Sequence, residues 1–434
     1  MKIIKNFLNE KGIESSYKIE SILNKDINEI IVPTKTEAKI KYMTKQDLQS
    51  IHKNIEVSGD FIMLMLSFFS STYALSKSDG KTESQALGYK TLNSKVLNDV
   101  FKVGKTSTYK KILNVLIKYS IIENGRNYSS GFRSNEYRLT KTYFGKGTTK
   151  YAIKSKLVRM KNLKNSENNL EKVLKCPIAN NELLNNYLLN FPTQEEAKEH
   201  LIKLSKEGKK NKKGKSIIYL NNRNPKDFKD CVFVEDYLLI LEYLRRMNVP
   251  IVTSENAGER VITAFNFLPS ILRSLVTIGS NKQKLVELDY QTMHPNLVAY
   301  KYGGNNKEMI THDKVAEYLG VDRSVAKLGH LSFFNLEWSM MLKSPLFKYY
   351  SDNEAQMMEN LYYEKTKNGY KETSKSCFEM ETTLQRRNIT DIRNKGIICF
   401  YVFDALYTIE SDAKAVKDIM NKNAKKAGYL TQVK

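Results

Sequence analysis

The sequence predicts an α+β protein, with a helix-rich N-terminal part ahead of a C-terminal part built on short antiparallel strands. Three observations predict it. The chain has 434 residues, and at roughly 100–200 residues per domain that length suggests two or three domains. A hydrophobic fraction of 41% and a charged fraction of 27% belong to globular chains rather than disordered ones. Helical apolar spacing governs the N-terminal third, whereas later β-prone apolar runs are short and end in aspartates.

Charge narrows the partners. There are 70 Lys and Arg against 47 Asp and Glu, a formal net charge of +23, which calls for an anionic partner, nucleic acid first. The excess is concentrated: residues 101–164 hold 16 basic residues and only Glu123 and Glu136 as acids. A second basic run, Lys206 to Lys215, is broken by Gly and Asn and reads as a solvated linker. The four cysteines, Cys176, Cys231, Cys377 and Cys399, form no CxxC pair, so zinc ribbons and disulfide frameworks are disfavoured. The apolar run Phe61 to Leu75 is too short and too rich in Ser and Thr to span a bilayer. The opening MKIIKNFLNEKG lacks a signal-like apolar stretch. A cytoplasmic protein without a membrane partner is expected.

The elements follow in order. Residues 1–59 carry no motif. From Asp60 to Leu75 the chain reads as a buried helix, the first element of a domain over 60–145. LNSKVLNDVFKVGKTSTYKKILNVLIKYSII then reads as two helices parted by a turn at Val103-Gly104, with Ser107 and Thr108 as N-cap candidates. Leu113, Leu116 and Ile117 share one face, and Lys110, Lys111 and Lys118 mark another. Asn124-Gly125 and Ser130-Gly131 are turn signals in a hairpin bearing Arg126, Arg133 and Arg138. Helix, turn, helix and hairpin resemble a winged helix-turn-helix, which implies that these six basic residues contact DNA. Residues 146–231 read as a helical, basic connector, and 232–434 as the body that carries chemistry.

Three segments of that body matter. In KLVELDYQTMHP a short strand delivers Asp289 at its end, just before a helix. A rigid strand end can hold a carboxylate open to a cleft and a metal. In DRSVAKLGHLSFFN, Arg323 and Lys327 lie four apart on one helical face, which Leu331 and Asn335 continue. Two such cations suit nucleotide phosphates. In KGIICFYVFDALYTIE, two apolar runs flank Asp404 as the tip of a hairpin, with an amphipathic helix from Ala413 to Ala427 behind it.

In this order the segments resemble the palm and fingers of family A DNA polymerases and their single-subunit RNA polymerase cousins. LDYQTMHP looks like motif A, Arg323 and Lys327 like the fingers helix, and YVFDALYT like motif C. The phrase RVITAF from Arg260, followed by Leu268-Pro269 and Arg273, resembles the lead-in of compact replication proteins of plasmids and phages, which also carry an upstream winged helix. The resemblance spans residues 232–434 by motif and 60–145 by pattern.

The resemblance implies a compact right-hand polymerase palm and fingers with an antiparallel sheet. Asp289 and Asp404 would be catalytic and hold two Mg²⁺ (or Mn²⁺) ions about 3.5–4 Å apart. Lys327 and Arg323 would bind the nucleoside triphosphate, with Lys327 also catalytic. Tyr290 and His294 would border the nucleotide, His294 at the sugar-discriminating position. Arg260 and Arg273 would grip a DNA primer-template. The chain departs from the family at Phe403, Ala405, Leu331 and Asn335, where His, Glu or Ser, and two aromatics are usual. Those departures keep two alternatives open: a non-catalytic replication initiator with a degenerate palm, and a single-subunit RNA polymerase or primer-synthesising enzyme.

Overall fold

The structure, a computed structural model, describes residues 2–10, 12, 14, 16–76, 89–125, 135–144, 146–211, 214–219, 231–254, 258–305 and 307–434, excepting the side chains of residues 3 and 71–76. It is a mixed α+β protein, mostly helical, with several small antiparallel sheets. The chain forms two compact units.

The first unit comprises Met1–Glu171, Phe191–Val249 and Phe267–Leu275. Its leading elements are β1 (Glu29–Pro33), α1 (Lys45–Ile51), α2 (Ile55–Ser76), β2 (Lys90–Thr91), α3 (Ser94–Val100), α4 (Tyr109–Lys118), β3 (Ile122–Asn124), β4 (Glu136–Leu139) and β5 (Thr148–Ala152). Helix α2 is apolar on every side, and a helix of that kind must be enclosed: Phe61, Ile62, Met63, Met65 and Leu66 are all buried. Its buried Asp60 accepts hydrogen bonds from the Tyr151 hydroxyl (2.8 Å) and the Ser155 N–H (2.6 Å), which ties α2 to β5. Strand β5 pairs antiparallel with β1.

Those bonds redraw the expected borders. Residues from Ile30 to Val158 contribute to one core, because β1 and β5 pair beside α2, so that core crosses the expected borders at 60 and 146. The expected connector 146–231 is not a separate linker: part of it builds the first unit and Lys172–Asn190 builds the second. Residues 232–249, expected in the C-terminal body, belong to the first unit, where helix Val234–Leu244 packs on α2. Between α3 and α4 the single turn expected at Val103-Gly104 is a small hairpin pairing Lys102–Val103 with Thr106–Ser107. Thr108 stands at the N-cap of α4, but its hydroxyl donates to the Phe101 carbonyl (3.0 Å) instead of capping.

The second unit comprises Lys172–Asn190, Pro250–Asn266 and Val276–Lys434. In order, it contains α5 (Pro177–Asn185), β6 (Leu189–Asn190), β7 (Thr277–Ile278), β8 (Gln283–Asp289), α6 (Met293–Tyr302), α7 (His312–Leu319), α8 (Arg323–His330), α9 (Glu372–Asn394), β9 (Phe400–Val402), β10 (Ala405–Ile409) and α10 (Glu410–Lys426). A five-stranded sheet runs β9-β10-β8-β7-β6, antiparallel at each step. Helix α10 packs on β8 and β10, and α9 packs on α10 and α5. A second core gathers Val298, Val315, Ala326, Phe333, Tyr350 and Met357 around helices α6 to α8. No helix among the described residues is long and apolar enough to cross a membrane.

Candidate functional site

The site begins with strand register. In the β8–β10 ladder Asp289 stands opposite Ala405, and the Tyr290 N–H donates to the Asp404 carbonyl at 3.4 Å. Neighbouring strand backbones lie about 4.8 Å apart, so the two aspartates occupy adjacent strand ends. Both line a cleft of about 420 Å³, with Arg260, His294, Arg323 and Lys327 among the other lining residues. That volume falls within the range of small-molecule sites.

Asp404 sits in a two-residue turn. Val402 pairs with Ala405, leaving Phe403 and Asp404 to reverse the chain. Phe403 adopts φ 55°, a left-handed conformation that a bulky residue avoids and that costs about 1–3 kcal/mol. The surroundings hold it there: the Gln385 side-chain amide donates to the Phe403 carbonyl at 3.0 Å.

Gln385 belongs to a buried polar stripe on α9, where Glu381, Gln385 and Asn388 are each fully buried. Three elements of the site hang from it. Both Glu381 oxygens accept from the Arg260 guanidinium, and Glu381 Oε2 lies 2.8 Å from His294 Nε2. The Asn388 amide donates to the Tyr290 hydroxyl at 3.0 Å. Burial alone would push the Glu381 carboxyl up, but Arg260 and His294 together hold it below the ordinary carboxylate range. Burial raises the Asp404 carboxyl, and the negative Glu381 raises it further. The guanidinium of Arg260 also stacks 3.7 Å from the Phe378 ring centroid and 5.1 Å from that of Phe403.

Helix α8 supplies the cations. Asp322 caps it, its carboxylate accepting from the Ser324 N–H at 2.7 Å. Arg323 forms an ion pair with Asp313 (2.9 Å), and Lys327 is exposed to the cleft. The helix stops at His330, so Asn335 lies in a separate 3₁₀ turn (Phe333–Asn335) rather than on the same helical face. Leu331 and Asn335 still line the cleft.

Behind Lys327 lies a histidine pair. The Nδ1 atoms of His312 and His330 are 3.0 Å apart, and His330 Nε2 is 2.6 Å from the Tyr350 hydroxyl. Burial drives both rings down to about 4, with Arg323 and Lys327 adding to the effect on His312 and His312 adding to that on His330. Both rings are therefore neutral at pH 7, and each carries one N–H. Burial lifts the Tyr350 hydroxyl well above its ordinary value, so it keeps its proton beside His330. Both histidines line the cleft.

The cleft gathers Asp289, Asp404, Arg323, Lys327, His294 and Arg260. Other expectations need correction. Tyr290 borders the cleft only in part: its ring is buried and its hydroxyl donates to the Met420 carbonyl at 2.8 Å, so it anchors the sheet to α10. Arg273 lies in the first unit, buried, donating to the Leu268 carbonyl at 2.9 Å, and is not among the residues lining this cleft. Lys110 and Lys111 are exposed on α4. Lys118 is held by Asp47 at 2.7 Å. Arg138 is paired with Glu123 and stacked over Tyr89. Arg126 and Arg133 lie outside the described residues.

Two carboxylates at fixed strand ends are a hard-oxygen donor set suited to Mg²⁺. Among the described residues no three His, Cys, Asp or Glu side chains converge as one metal-binding group, so the fit rests on that pair. Sequence reading missed Glu381, Gln385, Asn388, His312 and His330. The signal for the first three was present: polar residues recur at helical spacing along one otherwise apolar face of α9. The chain matches no protein-family model and no curated protein.

Proposed function

We propose that the chain is a template-dependent nucleotidyltransferase, a polymerase-like replication protein of a mobile element. The observation that carries this reading is the β8–β10 register, which brings Asp289 and Asp404 to neighbouring strand ends in a cleft shared with Arg323 and Lys327. Magnesium bound by the two aspartates would supply activation of a primer 3′-hydroxyl and neutralisation of the leaving pyrophosphate. The chain's own part is binding and orientation. Arg323 and Lys327 meet the phosphates, Lys327 gives a proton to the departing pyrophosphate, and the fixed strand ends keep both carboxylates in register. Arg260, which lines the same cleft, would meet the primer-template.

In the same reading α3, α4 and the β2-β4-β3 sheet act as a winged helix on duplex DNA, with Lys110 and Lys111 on phosphates. A second reading, a non-catalytic initiator, is favoured by one observation. The Asp404 carboxyl is raised, and its turn neighbours Phe403 and Ala405 add no further carboxylate.

The test is extension of an annealed primer with Mg²⁺, run separately with dNTPs and NTPs. Templated incorporation supports the transferase, and the preferred set identifies the sugar. Duplex binding with a steep salt dependence and no incorporation supports the initiator.

A further inference from the structure

The cleft holds a cation outside the three motif segments. Residues 431–434 run beside the end of β8, joined to it by one isolated β-bridge. Tyr290 bridges Val433 in the antiparallel sense, the Gln291 N–H donates to the Gln432 carbonyl (2.9 Å), and the Lys434 N–H donates to the Asp289 carbonyl (3.2 Å). The Thr431 hydroxyl donates to the Gln291 carbonyl and the Val433 N–H to Asn421 Oδ1, both at 2.8 Å. Val433 is buried. The backbone of Lys434 is thus fastened to the residue that carries the first carboxylate, and Lys434 is exposed and lines the cleft with Lys327 and His312.

Charge balance gives this side chain a use. Arg323 shares its charge with Asp313 and Arg260 with Glu381. Neither Lys327 nor Lys434 forms an ion pair with a carboxylate among the described residues. The Lys434 charge is also felt at His312, acting in the same direction as Arg323 and Lys327, so the three cations border one region. A triphosphate carries more negative charge than Lys327 and a shared Arg323 can offset.

We propose that Lys434 is a further phosphate-binding residue, a third cation for the polyphosphate chain of the nucleotide, positioned by the backbone bonds that tie Thr431–Lys434 to residues 289–291. The inference rests on the nucleotidyltransferase reading for the identity of the nucleotide, but its ligand chemistry is the polyphosphate alone.

The test is equilibrium binding of Mg²⁺–dATP and of inorganic tripolyphosphate to the full chain, comparing wild type, Lys434→Ala and Lys434→Arg. Thermal unfolding of each variant monitors the fold. Loss of one charge-assisted contact weakens binding by about tenfold or more. Lys434→Ala is expected to lose that much for both ligands with an unchanged unfolding midpoint, and Lys434→Arg to recover most of it. Wild-type affinity in Lys434→Ala overturns the proposal. So does an equal loss in both variants, because the segment's backbone rather than the charge would then be responsible. If wild type binds tripolyphosphate through Lys434 but extends no primer, the phosphate site stands and the transferase reading falls. If wild type binds neither ligand, both fall.

Discussion

Glu381 and Arg260 form a charge pair in which the carboxylate is fully buried and both its oxygens accept from the guanidinium. His294 leans on the same carboxylate, so one buried charge positions two walls of the cleft. Removing one member of such a pair strands the other and costs about 3–5 kcal/mol. Glu381→Ala is expected to lower unfolding stability by about that amount, measured by denaturant titration. The double variant with Arg260→Ala should lose clearly less than the sum of the two single losses. Additive losses would mean that the pair is not the organising contact.

The neutral histidine pair gives a pH signature. Both rings sit near 4 in the folded chain against an ordinary 6.5. Because the folded values are depressed, the unfolded chain takes up these protons first. Stability is full above about 6.5 and is lost as pH falls toward 4. Replacing His330 with Gln should flatten this slope in urea titrations at pH 4.5 and 7. An unchanged slope would remove the pair from the account.

Glu182 works in the opposite sense. Its Oε1 accepts the Tyr401 N–H at 2.9 Å, its Oε2 is buried without a partner among the described residues, and burial raises its carboxyl to about 8. Here the folded chain holds the proton more tightly than the unfolded one. The resulting stability is present below about 4.5 and is lost as pH rises toward 8. Glu182→Gln mimics the protonated side chain and should therefore be more stable than wild type at pH 8 but not at pH 4.5.

On the first unit, Lys110 and Lys111 are exposed while Lys118 is spent on Asp47. Each of Lys110→Ala and Lys111→Ala should reduce the salt slope of duplex binding by about 1. Lys118→Ala should leave the slope where it was. Equal effects from all three would point to diffuse attraction rather than a docked helix face.

What was legible in the sequence was local. Asp289, Asp404, Arg323 and Lys327 were readable because a strand end, a hairpin tip and a four-residue helical spacing each announce themselves within a dozen residues. For Tyr290 the sequence showed the cleft side but not the other: Tyr290 lines the cleft, yet its hydroxyl reaches back to Met420 on α10, 130 positions away. The borders at residues 60, 146 and 232 were drawn from charge and motif, whereas the pairing of β1 with β5 joins segments more than a hundred residues apart. The partners of the α9 stripe are equally remote: Glu381 meets Arg260 across 121 positions. Spacing can reveal that α9 turns polar groups inward, but not what they hold.

The central claim is that Asp289 and Asp404 act together in nucleotidyl transfer. The most direct measurement is single-turnover primer extension with Mg²⁺ by wild type, Asp289→Ala and Asp404→Asn, with unfolding midpoints taken on the same preparations. The account predicts templated incorporation by wild type and a loss of about a thousandfold or more in each variant, with the fold retained. Incorporation at the wild-type rate by folded Asp289→Ala would contradict it.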